Sequence, residues 1–236
     1  MVSHASVHVY APATRRTMPF DAVNDFTHMG LLVEAPMALL VRAQSPFQTL
    51  DQYLTAAKTR PVRYGSSGIG SINHLFGEML KIEGKAPQHD PIPYQGSAPA
   101  MQDLLGGQID SVLDPITTNV TQLKAGSLRA LLVSTASRLP ALLNIPTFAE
   151  LGFPKLTGSQ CLGLSAPKGL PAPIVQRLTA LIPEIFAKPD MAARLEEIQT
   201  LARKNAVVGT EFTQLITSQI DTWRSVAMLA NVEVIT

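Results

Sequence analysis

An α/β fold with a parallel sheet is predicted by the way apolar runs and helical patterns alternate along this 236-residue chain. Short apolar runs that are typical of strands are followed by amphipathic segments of roughly ten residues, as in βαβ units. A glycine- and serine-rich loop at 65–71 joins one such strand to one such helix. The length permits one large domain or two lobes. Ligands of such folds bind outside the carboxyl ends of the strands.

Composition argues against two classes of partner. The net charge is +1 and the longest basic cluster is Arg15-Arg16, so nothing favours nucleic acid. Hydrophobic residues make up 46% of the chain, yet no apolar run approaches the about eighteen residues that span a bilayer. The single cysteine, Cys161, lies in an apolar stretch and is expected to be a small core residue rather than a nucleophile.

The first part of the chain predicts mostly extended structure. Residues 1–10 read as the end of a strand and its loop, and residues 12–25 as a surface segment. The apolar runs 28–35 and 37–43 are strand-like in length and are separated by Pro36. An amphipathic helix with apolar residues between Leu50 and Ala57 follows.

The central part carries the βαβ signal. The strand 61–64 leads through the glycine loop into a helix that ends at Gly84. Later elements alternate regularly: strand 92–94, helix 98–105, strand 109–113, helix 116–125 and strand 128–134.

The last part predicts an extended crossing segment and then helices. Residues 156–166 contain small residues and two glycines, whereas three amphipathic patterns follow them. These helices are predicted at 174–186, 189–198 and 212–228. They are expected to cover a sheet rather than to carry chemistry.

The segment Tyr64–Ser71 is predicted to be an anion-binding loop. Glycines at 65, 68 and 70 allow sharp turns, and serines at 66, 67 and 71 add hydroxyls beside the free N–H groups that open a helix. Nucleotide-binding loops are disfavoured, because Ser71 replaces the lysine of a triphosphate loop and Asn73 the third glycine of a dinucleotide loop. A carboxylate fits best; a Gly/Ser turn that only joins strand to helix is the alternative.

Two further loops are expected at the same edge of the sheet. If their strands are parallel, residues 95–98 and 114–118 lie beside the glycine loop. Gly96 and Ser97 repeat its chemistry, although Ser97 could serve only as a helix N-cap. Asp114 either positions a ligand amine or caps the next helix.

Catalytic and metal sites are poorly supported. The five histidines show no H-E-x-x-H spacing, so no metal site and no cofactor are predicted. A serine hydrolase using Ser67 and His74 is an alternative function, but no orienting carboxylate accompanies the pair. The sequence therefore predicts a protein that is not an enzyme, with His74 as a helix residue bordering the binding site.

Several motifs, in order, resemble the Bug family. This family comprises TctC-like extracytoplasmic solute receptors of tripartite tricarboxylate transporters. The resemblance covers nearly the whole chain from about Pro19, and its motifs lie at 64–71, 93–100, 103–110, 123–130, 145–152 and 163–167.

The resemblance implies a type II periplasmic-binding-protein-like α/β fold with two lobes. Lobe 1 would comprise residues 1–42 and 158–236, and lobe 2, carrying the glycine loop, residues 43–157. Such receptors close on a small carboxylate in an inter-lobe cleft and pass it to a membrane permease, and they reside in the periplasm.

The resemblance also implies which residues bind the acid. From lobe 2 these would be Ser66, Ser67, Gly70, Ser71, Gly96, Ser97 and Ala98. The residues themselves, rather than the resemblance, add His74 and Asp114 as further candidates for ligand binding. Ser3, His4 and Ala5 would come from the facing lobe, although this sequence departs there from the family's usual Asn-Gly-Thr-His motif.

The front of the chain departs most from the family pattern. Family members begin with an export signal and a complete βαβαβ portion, neither of which is recognisable here. We therefore expect lobe 1 to be incomplete, with an unpaired sheet edge through which an oligomer could form. A truncated remnant that does not bind ligand is the remaining alternative.

Overall fold

The computed structural model describes residues 1–203 and 205–232. The chain divides into two compact units. Unit 1 consists of Met1–Ala35 and the chain from Gln160 onward, and unit 2 consists of Pro36–Ser159. Within the described ranges, no helix combines the length and apolar character needed to cross a membrane.

Strands and helices alternate along the chain, as the sequence predicts. The strands are β1 (Val2–His4), β2 (Phe26–Arg42), β3 (Val62–Ser66), β4 (His89–Pro93), β5 (Ser111–Pro115), β6 (Leu128–Val133) and β7 (Ser159–Pro167). The α-helices are α1 (Ala11–Thr14), α2 (Leu50–Thr59), α3 (Ile72–Glu83), α4 (Ser97–Gly106), α5 (Val120–Lys124), α6 (Ala172–Phe186), α7 (Pro189–Glu197) and α8 (Gly209–Leu229). A π-helix covers Ser6–Tyr10, and 3₁₀ turns cover Ile116–Thr118, Pro140–Leu142 and Pro154–Leu156.

The sheet of unit 2 is parallel where the βαβ pattern predicts it. Strand β3 pairs in parallel with β4 on one side and with β5 on the other. Strand β2 instead runs antiparallel to both β5 and β6, so the sheet is mixed. The carboxyl ends of β3, β4 and β5 therefore share one edge.

Strand β2 is a single strand, and the expectation of two strands separated at Pro36 is wrong. It extends unbroken for 17 residues, and the division between the two units falls between Ala35 and Pro36. Proline lacks an N–H but is compatible with extended backbone. The ladder with β5 begins at the next residue, Met37, so no hydrogen bond of that ladder requires a donor at Pro36.

Unit 1 is built on β1, β7 and the first half of β2. Strand β1 pairs antiparallel with β7, and Ser3 lies opposite Gly163. The loop expected near residue 10 is instead helical, which corrects the prediction. The π-helix buries Tyr10, whose ring lies edge-on to Trp223 of α8 at 5.6 Å. Packing on α8 stabilises helical backbone in this short segment.

A polar aromatic cluster fixes α3 against β3 in unit 2. The Tyr64 ring stacks on His89 with 4.2 Å between centroids. The Tyr64 hydroxyl donates to Glu78 Oε1 on α3 at 2.8 Å. Helix α3 approaches this ring closely because Gly77 has no side chain, and a Cβ there would lie 2.2 Å from Tyr64 Cε2. The start of α3, and with it the glycine loop, is thereby held at the end of β3.

Candidate functional site

The loops that follow β3, β4 and β5 meet at one edge of the unit 2 sheet, which confirms the predicted grouping. The backbone N–H of Tyr94 donates to Ser66 O at 2.9 Å and links the first two loops. Side chains link the first and second loops to the third, because Asn73 and Ser97 both donate to Asp114. The candidate site therefore comprises three segments: the glycine loop (65–71), the Ser97 loop (95–98) and the Asp114 loop (114–118).

A chain of hydrogen bonds runs from the glycine loop to Asp114. The Ser67 hydroxyl donates to Asn73 Oδ1 at 2.6 Å. The Asn73 side-chain NH₂ donates to Leu113 O at 2.6 Å and to Asp114 Oδ1 at 2.8 Å. Asn73 is 2% exposed, so this amide is a buried connector between the first turn of α3 and the end of β5.

Asp114 is the centre of the network. Its side chain is buried, at 2% exposure, and Oδ1 also accepts from the Ser97 hydroxyl at 2.7 Å. Oδ2 accepts from Thr118 Oγ1 at 3.0 Å and from Asn119 Nδ2 at 2.8 Å. A buried carboxylate needs such donors to replace water. Asp114 thus ties the loops together through side chains of its own unit.

The same contacts correct the prediction of a helix at 116–125. A 3₁₀ turn covers Ile116–Thr118, and α5 begins only at Val120. Thr118 Oγ1 shares its single proton between Asp114 Oδ2 and Pro115 O, which lies 2.8 Å away, and Asn119 Nδ2 donates to the same carbonyl at 2.9 Å. Side chains that bind nearby backbone compete with regular helix, which explains the late start of α5.

The glycine loop owes its shape to left-handed glycines and a capped helix. Gly68 has φ 128° and Gly70 has φ 74°, a region that side chains with Cβ rarely adopt. Ser71 caps α3: its hydroxyl donates to Gly68 O at 2.7 Å and accepts from His74 N at 3.4 Å. The Gly70 N–H donates to His74 Nδ1 at 3.1 Å. Gly70 and Ser71 therefore shape the loop, and their predicted contact with ligand stays a prediction.

His74 supports the loop as a neutral ring. Burial lowers the pKa of His74, with Lys81 adding to this and Glu78 opposing it. A neutral ring is required because Nδ1 accepts the Gly70 N–H, which places the ring proton on Nε2. Since Ser67 donates to an amide oxygen and Nδ1 of His74 is occupied, the Ser67–His74 pair of the hydrolase alternative is not formed.

Backbone amides at this edge are available to an anion. Among the described residues, no group accepts a hydrogen bond from the amides of Ser67, Gly68 and Ile69 or from those of Gly96, Ser97 and Ala98. The second set opens α4, whose first N–H groups lack intrahelical acceptors. We call both sets the loop amides. Gly68 and Ile69 are missing from the sequence prediction, because amide availability depends on loop geometry rather than on residue type.

The remaining predicted residues lie elsewhere or are buried. Ser66 is fully buried, and its hydroxyl has no hydrogen-bond partner in the described part of the chain. Ser3, His4 and Ala5 belong to unit 1. Ser3 Oγ contacts His8 Nδ1 at 3.1 Å, and His4 Nδ1 accepts from Ser6 N at 3.2 Å. Binding of ligand by these four residues stays a prediction.

Comparison with known proteins identifies the family. The model of the tripartite tricarboxylate transporter family receptor matches residues 1–231. A UPF0065 protein from the tcbD-tcbE intergenic region of Pseudomonas sp. (strain P51) is 33% identical over 211 residues, which cover 88% of this chain and 62% of that protein.

Solved structures agree with the family model. The periplasmic binding protein BugD is 28% identical with a TM-score of 0.86, and the match covers 98% of this chain and 78% of BugD. An R. palustris protein solved with adipate is 29% identical with a TM-score of 0.85, over 98% of this chain and 77% of that one.

The chain spans less than two thirds of the length of the first curated relatives that it matches. It covers 62%, 58% and 56% of the length of three of them. The match nevertheless extends over nearly all of this chain, both in sequence and in fold. The chain therefore belongs to the tripartite tricarboxylate transporter receptor family, whose members are periplasmic solute-binding proteins.

Proposed function

We propose that this chain binds a small carboxylate in the periplasm, as the receptor of a tripartite tricarboxylate transporter, and passes it to the membrane permease. The observation that carries the proposal is the set of loop amides, which lie in two loops at one sheet edge without acceptors among the described residues. Backbone amides at a helix start attract anions through hydrogen bonds and through the helix dipole.

The bound acid is held by dipoles rather than by a salt bridge. One loop supplies the amides of Ser67, Gly68 and Ile69, and the other supplies those that open α4. A hydrogen bond to a charged group contributes about 1.5–3 kcal/mol, so a few such bonds suffice for reversible binding. The R. palustris relative solved with adipate supports a carboxylate as the ligand class.

Calorimetric titration with acids and their amides tests the proposal. Succinate, adipate and 3-phenylpropanoate are each titrated beside the matching neutral amide, which keeps the shape and removes the charge. We expect at least one acid to bind and its amide to bind at least about tenfold more weakly, since the amide carries no negative charge for the dipoles. Equal binding of acid and amide, or no binding of any acid, would contradict the proposal.

A further inference from the structure

The direction of each hydrogen bond in the network is fixed by its acceptors. Leu113 O and the Asp114 carboxylate can only accept, so the Asn73 atom that contacts both must be Nδ2. The Asn73 Oδ1 atom therefore faces Ser67. Because this oxygen is also only an acceptor, the single Ser67 hydroxyl proton is committed to it.

Ser97 is committed in the same way. Its hydroxyl lies 2.7 Å from Asp114 Oδ1, and a carboxylate oxygen requires Ser97 to donate. Both serines are partly exposed residues at this edge of the sheet. Each can offer a ligand lone pairs but no proton.

The edge of the sheet therefore presents two kinds of group side by side. Ser67 and Ser97 each carry a backbone N–H, which has no acceptor in the described part of the chain, and a hydroxyl oxygen, which can accept. A carboxylate satisfies the N–H groups but repels the hydroxyl lone pairs. A hydrogen-bond donor of the ligand, placed one or two covalent bonds from its carboxylate, would satisfy those lone pairs as well.

We infer that the acid bound here carries a hydroxyl or ammonium group on the carbon next to its carboxylate, recognised by the acceptor oxygens of Ser67 and Ser97. This inference rests on the proposed function, because it assumes that a carboxylate occupies the loop amides. Donation to the Asp114 carboxylate makes the Ser97 oxygen a stronger acceptor, since successive hydrogen bonds polarise one another.

The test compares acids that share a carbon skeleton. Calorimetry at pH 7.5 measures succinate, malate and aspartate, then adipate with its 2-hydroxy and 2-amino derivatives, then 3-phenylpropanoate with phenyllactate and phenylalanine. In each skeleton that binds, the hydroxy or amino member is expected to bind at least about fivefold more tightly than the parent acid. The tighter of the two derivatives shows whether hydroxyl or ammonium is the preferred donor.

A double variant assigns the preference to the serines. Replacing Ser67→Ala and Ser97→Ala together is expected to bring the ratio of derivative to parent affinity close to one. Ser127→Ala is the matched control, because the Ser127 hydroxyl also donates within unit 2, to Gln122 O, and it should leave the ratio unchanged. If the double variant fails to fold, the comparison of parent acids with their hydroxy and amino derivatives on the wild-type protein decides whether the inference holds.

The outcomes separate the inference from the function on which it rests. A parent acid that binds as tightly as its hydroxy and amino derivatives would overturn the inference and leave the receptor function standing. A double variant that folds and keeps the full preference would also overturn it. Failure of every acid in all skeletons to bind would overturn the proposed function.

Discussion

Asp114 shows how a single buried carboxylate can hold three loops in position, while its predicted contact with ligand stays a prediction. Its carboxylate is 2% exposed and accepts from Asn73, Ser97, Thr118 and Asn119. An unpaired buried carboxylate is strongly unfavourable, whereas hydrogen bonds to a charged group contribute about 1.5–3 kcal/mol each. The contacts that satisfy this charge are the same ones that fix the positions of the loops.

His89 gives unit 2 a dependence on pH. It is fully buried, with Nδ1 3.1 Å from Gly77 O and Nε2 2.8 Å from the Tyr53 hydroxyl. Burial lowers the pKa of His89 to about 3, while its hydrogen bond to Gly77 opposes the shift. In the unfolded chain the pKa returns to about 6.5, so the unfolded state binds a proton first on acidification.

The first prediction concerns this histidine. As the pH is lowered from 6.5 toward 3, the free energy of unfolding is expected to fall by about 1.4 kcal/mol per pH unit, because the unfolded chain takes up a proton that the buried, neutral His89 does not. Urea denaturation at pH 7.5, 6 and 5 measures the slope. Glutamine cannot titrate, so in His89→Gln the free energy of unfolding should depend less steeply on pH, by the roughly 1.4 kcal/mol per pH unit that one proton contributes. The same substitution lowers stability at pH 7.5. A variant slope equal to that of wild type would show that His89 does not contribute.

At the scale of single residues, the sequence predicts which residues lie at the site better than it predicts their hydrogen-bond partners. Ser67, Ser97 and Asp114 are predicted from their positions after strands, and the structure brings them into one network. The connecting role of Asn73 is not predictable, because its partner Asp114 is 41 residues away and depends on sheet pairing. The same holds for the loop amides, whose availability is a property of backbone geometry.

Among the elements, the start of α4 depends on one glycine. Gly96 has φ 118° and ψ 173°, a conformation essentially restricted to glycine, and an added Cβ would meet no atom within 4 Å. A substitution there therefore acts through the backbone alone. The amides of Gly96, Ser97 and Ala98 depend on this conformation for their direction.

The second prediction compares two glycines in open space. Gly96→Ala is expected to rotate the amides that open α4 and weaken acid binding at least about tenfold, in line with roughly 1–3 kcal/mol of strain. Gly126→Ala is the control, because Gly126 also has positive φ (68°) and open surroundings but follows α5. Calorimetry with the acid that wild type binds best measures both. Equal affinity in the two variants would remove the start of α4 from the site.

Hydrophobic periodicity predicts the helices of unit 2 whose backbone hydrogen bonds join residues close in sequence. Helices α2, α3 and α4 form where their apolar spacing indicates. The periodicity fails for β2, where Pro36 suggests a break that a long paired strand does not need. It also fails at 116–125, where side chains of the Asp114 network bind the backbone in place of a regular helix.

At the scale of the whole molecule, the candidate site is a property of unit 2. All three loops, the Asp114 network and the loop amides lie within Pro36–Ser159, on a sheet with its own buried core. Alternating strands and helices predict this parallel arrangement, since parallel strands need helical crossovers and place their carboxyl ends together. The direction of β2 is not predictable in this way, because it depends on pairing between distant segments.

The most direct test of the account is an amide-resolved NMR titration of the ¹⁵N-labelled chain with the acid that binds best by calorimetry. The amides of Ser67, Gly68, Ile69, Gly96, Ser97 and Ala98 are expected to shift saturably, with the calorimetric Kd. The chemical shifts of amides remote from these loops, such as those of Gly107 and Gly126, should remain unchanged. An acid that binds by calorimetry while the loop amides stay unshifted would contradict the claim that they hold its carboxylate.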